Sequence, residues 1–202
     1  MKISLQDVGK RYNREWIFRH FNFEFEPTGT YAITGANGSG KSTLLQVIAG
    51  ATMHSQGKLL YTKKDDSLIT DPYPLISIAA PYLELVEEFT ATELLQFHAG
   101  FKKLTKSIED ILLAVNLEKA AQKQIRYFSS GMKQRLKLAQ AFFSECEVLF
   151  LDEPTTNLDS DGTALYQNLI KNFAADRLVI VSSNVPEEYA FCEQVIRIEE
   201  YK

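Results

Sequence analysis

Gly35-Ala36-Asn37-Gly38-Ser39-Gly40-Lys41-Ser42-Thr43 is the stretch on which the reading of this chain turns. Gly35, Gly40, Lys41 and Ser42 complete the pattern G-x-x-x-x-G-K-[ST], a phosphate-binding loop. Glycines let backbone amides turn inward and approach an anion with no Cβ in the way. A helix beginning at Lys41 would offer its unpaired N–H groups and positive dipole end to the same anion. Lys41 is then expected to reach the β- and γ-phosphates of a nucleotide, and the Ser42 hydroxyl to ligate Mg²⁺.

The flanks fit that reading. Tyr31-Ala32-Ile33-Thr34 is a short apolar strand leading into the loop, and Leu44, Leu45, Val47 and Ile48 mark a buried helix ending near Gly50. More than a hundred residues downstream, Glu147-Val148-Leu149-Phe150-Leu151-Asp152-Glu153 is a hydrophobic strand ending in two carboxylates. Beside a phosphate loop, Asp152 suits the Mg²⁺ hydration shell, and Glu153 can orient and polarise an attacking water. Taken alone, a strand ending in Asp-Glu is more often a solvated turn.

The rest of the chain organises around these two elements. Residues 1–34 read as strands, with the alternation of Phe21-Asn22-Phe23-Glu24-Phe25-Glu26 placing aromatics on one face. Residues 57–80 return to strand character. From about residue 86 to 145 the pattern turns helical: Thr90-Ala91-Thr92-Glu93 has capping-box spacing, and Ile108, Ile111, Leu112 and Val115 recur at helical intervals. Met132, Leu136, Ala139 and Phe143 repeat the pattern. Strands resume at 148–151 and 178–182, separated by a helix over 161–173, which argues for parallel pairing. A short helix over 186–192 leads to a last strand, Val195-Ile196-Arg197-Ile198. The expected architecture is an α/β nucleotide-binding core made of 1–85 and 146–202, interrupted by a helical insertion at 86–145.

Composition narrows the function classes. The 202 residues carry 45% apolar and 24% charged residues, as in an ordinary globular protein. A net charge of −4 supplies no overall pull toward nucleic acid, and none is expected as a partner. Cys146 and Cys192 stand far apart, without metal-ligand spacing. No run approaches the roughly 20 apolar residues needed to span a bilayer. The chain is expected in the cytoplasm, or held at a membrane through a partner.

Phe128-Ser129-Ser130-Gly131-Met132-Lys133-Gln134-Arg135 opens a helix shortly before the acidic strand. Here the chain resembles the ATPase subunits of ABC transporters, whose signature Leu-Ser-Gly-Gly-Gln precedes a basic helix at this place. Pro154-Thr155-Thr156-Asn157-Leu158-Asp159 is similar to the family's loop after the catalytic glutamate, where Asn157 and Asp159 would contact an opposite subunit. Tyr12 lies 23 residues before Gly35, where the family stacks an aromatic ring on adenine; Trp16 is the nearby competitor. The resemblance covers nearly the whole chain. It implies a P-loop NTPase core of the RecA-like kind, with an antiparallel β subdomain and an inserted α-helical signature subdomain. ATP and Mg²⁺ are the implied cofactors, with Asn37, Gly38, Ser39 and Thr43 joining the nucleotide cradle. Ser129, Ser130, Gly131 and Met132 would face the ATP of a second subunit, in a homodimer or a heterodimer. A separate transmembrane permease is the implied partner, docking on the segment from Tyr82 to Phe101 and holding the chain at the inner face of a membrane.

Two positions depart from the family. Tyr82 stands where a Mg²⁺-contacting glutamine is usual, with Glu84 close enough to substitute. Asn184 stands where the family has a switch histidine; an amide can donate a hydrogen bond but cannot relay a proton. Slower or differently coupled hydrolysis is therefore expected. The alternatives are a soluble ATPase of the same family that moves no solute, and a weakly hydrolysing switch that dimerises on ATP.

Overall fold

In chain order the elements are β1 (Lys2–Tyr12), β2 (Glu15–Phe25), β3 (Thr30–Thr34), α1 (Lys41–Ile48), β4 (Gln56–Thr62), β5 (Ile76–Ala79), α2 (Ala91–Ala99), α3 (Ile108–Ala114), α4 (Ser130–Phe143), β6 (Val148–Asp152), α5 (Ser160–Phe173), β7 (Leu178–Ser182), α6 (Pro186–Tyr189) and β8 (Gln194–Arg197). They come from a computed structural model that describes all 202 residues.

Two sheets form. The first is antiparallel, in the order β2-β1-β4; the second has five strands in the order β5-β6-β7-β3-β8, and each of its neighbouring pairs is parallel. The buried runs of β6 and β7 explain how the second sheet divides the molecule. Val148, Phe150, Leu178 and Ile180 face one core, while Leu149, Leu151, Val179 and Val181 face the other. A strand buried on both sides must be apolar throughout, so its period-two alternation is invisible in sequence.

The first core packs that sheet against α1 and the aromatic face of the antiparallel sheet, with Phe18, Phe21 and Phe25 fully buried. The second packs it against α2, α3, α4 and α5. Each fully buried Leu, Ile or Phe contributes about 1.5–3 kcal/mol relative to exposure.

The helical stretch is less continuous than its periodicity suggests. Residues 86–90, 100–107, 115–129 and 144–145 lie outside the α-helices, Val115 capping α3, and single bridges join Thr90 to Gln124 and Leu104 to Ser144. The expected capping box is present: the Thr90 hydroxyl accepts Glu93 N–H at 3.2 Å, and Thr90 N–H donates to the Glu93 carboxylate at 2.8 Å. Between β4 and β5 the polar stretch Lys63–Asp66 forms a loop closed by a single bridge from Thr62 to Leu68. Pro72 caps and Pro74 lies within a tight helical turn over Tyr73–Leu75, so strand resumes only at Ile76. The helix from Pro186 ends at Tyr189 instead of 192, and Ile198 belongs to a closing turn rather than to β8.

Register then positions the site. Asp152 pairs with Ser182, and Ile33 pairs with Ser182 on the other side. The carboxyl ends of β6, β7 and β3 therefore stand in a row, and everything just beyond them shares one edge of the sheet.

Candidate active site

β3 ends at Thr34, and the phosphate loop turns from it into α1 with Gly35, Gly38 and Gly40 at φ of 148°, 76° and 101°. A Cβ on Gly40 would come within 2.3 Å of the Ile17 side chain, so the helix start needs glycine for conformation and for space. Gly40 is the N-cap of α1 and provides no side-chain cap, which leaves the first N–H groups of the helix free for an anion. Lys41 is almost fully buried, and its ammonium donates to the carbonyls of Gly35 at 2.8 Å and Ala36 at 3.2 Å.

The loop, Glu153 and Ile17 line one recess of about 240 Å³, made by Ile17, Asn37, Gly38, Gly40, Lys41, Ser42, Thr43 and Glu153. Folding thus brings the second carboxylate of the acidic strand onto the phosphate loop. Glu153 itself sits at φ of 42°, in the left-handed region that costs a non-glycine residue about 1–3 kcal/mol. Its N–H donates to Ser182 O at 2.8 Å, tying the turn to β7.

Asp152 is 1% exposed, and its Oδ1 is buried without a hydrogen-bond partner, as is Ser182 Oγ beside it. Burial pushes the Asp152 carboxyl above its ordinary range, opposed by the Ser182 and Ser42 hydroxyls and the Lys41 charge and reinforced by Glu153. A buried, unpaired carboxylate oxygen beside a serine hydroxyl is the donor set a hard divalent cation takes up. The residues fit Mg²⁺.

Asn184 follows β7. Its Oδ1 accepts Gly35 N–H at 3.2 Å and its amide nitrogen donates to Asn37 Oδ1 at 2.9 Å. Tyr82 is half exposed; partial burial pushes its hydroxyl up, the Gln46 side chain lowers it and the Asp152 charge adds to the rise. Glu84 instead lines a separate groove with Lys102 and Lys137. Neither Tyr82 nor Glu84 lines the phosphate recess. Tyr12, at the end of β1, is half exposed with the Lys10 ammonium 4.6 Å from its ring centre, and lies outside the recess lining. Trp16 is occupied otherwise, between the guanidinium groups of Arg19 at 4.4 Å and Arg11 at 5.4 Å.

A second recess, of about 280 Å³, gathers Ser129, Ser130, Gly131, Met132, Arg135, Asn157, Leu158 and Asp159. Ser129 is the N-cap of α4, its hydroxyl accepting Met132 N–H at 3.2 Å. Arg135 donates to Asp159 Oδ1 at 3.3 Å, and the same oxygen accepts Gly162 N–H at 2.8 Å. The signature stretch and the loop after Glu153, read separately in sequence, meet here. The two recesses share no lining residue.

Sequence reasoning missed three contributors at the loop. Ile17 walls the recess from β2. Glu199 accepts Ala36 N–H at 2.7 Å, which with the Lys41 and Lys202 charges holds its carboxyl below the usual range. Lys202 donates to the carbonyls of Ser39 at 2.5 Å and Ile17 at 3.0 Å. Nothing in a local pattern marks these residues, since all are brought in by tertiary contacts.

Comparison with known proteins agrees with the geometry. The family model described as ABC transporter matches residues 18–156. The ABC transporter ATP-binding protein YxlF of Bacillus subtilis is 32% identical, over 96% of this chain and 66% of its own length. The Nod factor export ATP-binding protein I of Rhizobium johnstonii is 30% identical, over 92% of this chain and 62% of its own. This chain therefore spans about two-thirds of the length of those two relatives. Among solved structures, the dimeric bacterial ABC transporter cassette MJ0796 superposes with a TM-score of 0.83 at 22% identity, covering 97% of this chain and 94% of that one. A second dimeric structure of that cassette, in a post-hydrolysis state bound to ADP and Pi, gives 0.81 at 22% identity with the same coverage. With its phosphate loop, acidic strand and signature turn carried on this two-sheet frame, the chain belongs to the ABC transporter ATP-binding family and has the P-loop NTPase fold.

Proposed function

We propose that this chain is an ATP-binding and ATP-hydrolysing motor subunit that drives a separate transmembrane permease. The observation that carries the proposal is the shared recess in which Glu153 faces Lys41, Ser42 and the loop glycines. In this reading the N–H groups of residues 40–43, together with those of Asn37 and Gly38, cradle the phosphates, while the Ser39 N–H stays on Ala36 O at 3.0 Å, and Lys41 exchanges its loop carbonyls for β- and γ-phosphate oxygens. Ser42 and Asp152 would hold Mg²⁺, with Tyr82 near that shell in place of the usual glutamine. The ion, when bound, neutralises charge shared between the β- and γ-phosphates. Glu153 orients a water and accepts its proton as the water oxygen bonds to the γ-phosphorus and the bond to the ADP oxygen breaks. Asn184 steadies the loop and hydrogen-bonds the γ-phosphate side, and Tyr12 stacks on the purine.

Dimerisation belongs to the same reading. The phosphate recess and the signature recess are separate within one chain, so a head-to-tail pair would bring Ser129, Ser130, Gly131 and Met132 of one subunit to the nucleotide of the other. Asn157 and Asp159 then lie at the junction. The helical segment 86–145, inserted between the core parts 1–85 and 146–202, would take the permease contact near Tyr82 to Phe101. Exposed Phe97 and Phe101, stacked edge-on at 5.1 Å, and half-exposed Tyr82 support an apolar contact there. No helix is long and apolar enough to cross a membrane, and in this reading the spanning part is the separate permease. The chain would then work in the cytoplasm, at the inner face of the membrane.

Steady-state ATP turnover with Mg²⁺, measured together with copurification of a multi-span membrane protein, tests the proposal. Turnover with a bound permease supports it. Turnover in a complex lacking any membrane protein would favour the non-transport ATPase. Tyr82 and Asn184 support a second reading, a slowly hydrolysing dimerisation switch; equal, near-zero rates for wild type and Glu153→Gln would select it.

A further inference from the structure

The peptide group joining Pro154 to Thr155 is gripped on both sides. Its carbonyl, Pro154 O, accepts from Gln134 Nε2 at 2.8 Å. Its N–H, on Thr155, donates to Glu188 Oε1 at 2.7 Å, and the Thr155 hydroxyl donates to the same oxygen. Gln134 and Glu188 are each only 2% exposed. They come from different parts of the chain: Gln134 lies in α4, one turn beyond Ser130, and Glu188 lies in α6, one turn beyond Asn184.

The arrangement is costly as mere packing. Glu188 has no cationic partner within ion-pair distance, and its Oε2 is buried without a hydrogen bond. A buried carboxylate without a counter-ion is destabilising unless strong hydrogen bonds offset it, and here both come from one residue, Thr155. α6 is itself anchored by Tyr166, whose hydroxyl donates to Glu188 O at 2.7 Å. The gripped peptide directly follows Glu153, and Asn157 and Asp159 lie two and four residues past Thr155. Asp159 is also tied to α4, through Arg135.

We propose that Gln134 and Glu188 are paired positioning residues, fixing the Pro154–Thr155 peptide so that the signature helix and the segment after Asn184 jointly set the orientation of Glu153 and of the loop through Asp159. This rests on the roles given above to Glu153 and that loop. Neither residue touches reacting atoms; each acts through one peptide plane. Because neither residue hydrogen-bonds the phosphate loop or lines its recess, ATP affinity and turnover are expected to separate.

The test measures ATP dissociation constant, kcat and KM, and melting temperature for Gln134→Ala, Glu188→Ala, Glu188→Gln and Thr155→Val. Misplacing a catalytic group by an ångström can cost up to about a hundredfold, so each alanine variant is expected to lose about tenfold or more in kcat. ATP dissociation constants should stay within about twofold of wild type. Glu188→Gln keeps an oxygen for both Thr155 donors and should restore most of the rate. Thr155→Val removes only the hydroxyl and should lose a smaller part, which carries the test should Glu188→Ala fail to fold. The Gln134→Ala, Glu188→Ala pair should be less than additive, since both act on one peptide. Wild-type kcat in Glu188→Gln, Thr155→Val and Gln134→Ala alike would overturn the inference, as would parallel losses of ATP affinity and kcat. Absence of turnover in the wild type would instead count against the motor reading itself.

Discussion

The Asn184 amide nitrogen donates to the Asn37 side-chain oxygen at 2.9 Å, while Asn184 Oδ1 accepts the Gly35 N–H at 3.2 Å. One side chain at the end of β7 thus bridges two residues of the phosphate loop on β3. Asn184, one of the two positions at which the resemblance to the family breaks down, is integrated into the loop rather than left idle beside it.

Removing that bridge is expected to loosen the loop. Asn184→Ala should weaken ATP binding about three- to tenfold, the net worth of about one hydrogen bond at about 0.5–1.5 kcal/mol. Asn184→His introduces a titratable ring and should raise kcat. Equilibrium nucleotide binding and steady-state turnover check both arms, and an Asn184→His enzyme no faster than wild type would sink the idea that the amide limits hydrolysis.

Glu153→Gln keeps the shape of the recess but removes the proton acceptor. Turnover should fall at least about a hundredfold, with ATP binding retained and an ATP-dependent dimer accumulating. Turnover assays and size-exclusion chromatography with and without ATP read the two effects separately.

Gly57 tests the fold independently of the site. It sits at φ of 87° in β4, and a Cβ there would lie 2.3 Å from the backbone oxygen of Asp7, across the irregular pairing between Gln6 and Gly9. Backbone strain and backbone overlap together should make Gly57→Ala about 2–4 kcal/mol less stable by denaturant unfolding. The folded fraction should still bind ATP normally.

Tyr61 predicts an alkaline limit. Its buried hydroxyl donates to Ile48 O at 2.9 Å at the end of α1, and burial pushes its pKa from 10.0 up to about 12. The folded state holds this proton more tightly than the unfolded chain. Its contribution is therefore fully present below pH 10 and is lost as pH rises toward 12. The loss is about 1.4 kcal/mol per pH unit across that window. Tyr61→Phe should be less stable at neutral pH and show a shallower decline between those limits, leaving the part due to Cys192, also pushed up to about 12, unchanged.

Much of the molecule was legible in the chain. The phosphate loop, the acidic strand, the capping box at Thr90 and the alternation of Phe21, Phe23 and Phe25 are local patterns whose chemistry or period declares itself within a few residues. Lys41, Ser42, Asp152 and Glu153 stand out in the same way, because the phosphate and metal chemistry proposed for them allows few residue types at few spacings. The edges of elements were less legible. Ile198 carries the apolar character of β8 but turns out of the sheet, where it packs beneath Gly35 and Gly40. The gaps within 86–145 disappear in a periodicity that short turns do not interrupt.

Sequence alone determined that the chain has a phosphate loop, a following helix and a carboxylate-tipped strand, because each is a short-range pattern set by sterics and hydrogen bonding. Tertiary structure decided which of them meet. The order β5-β6-β7-β3-β8 lines up the ends of β6, β7 and β3, placing Glu153 on the loop and Asn184 across it. It also brought Ile17, Glu199 and Lys202 to the loop, and Gln134 and Glu188 to a single peptide. Apart from Gln134, which stands in the signature stretch, those residues were silent in the sequence, because a long-range contact depends on two distant segments sharing one core, and neither segment bears its mark.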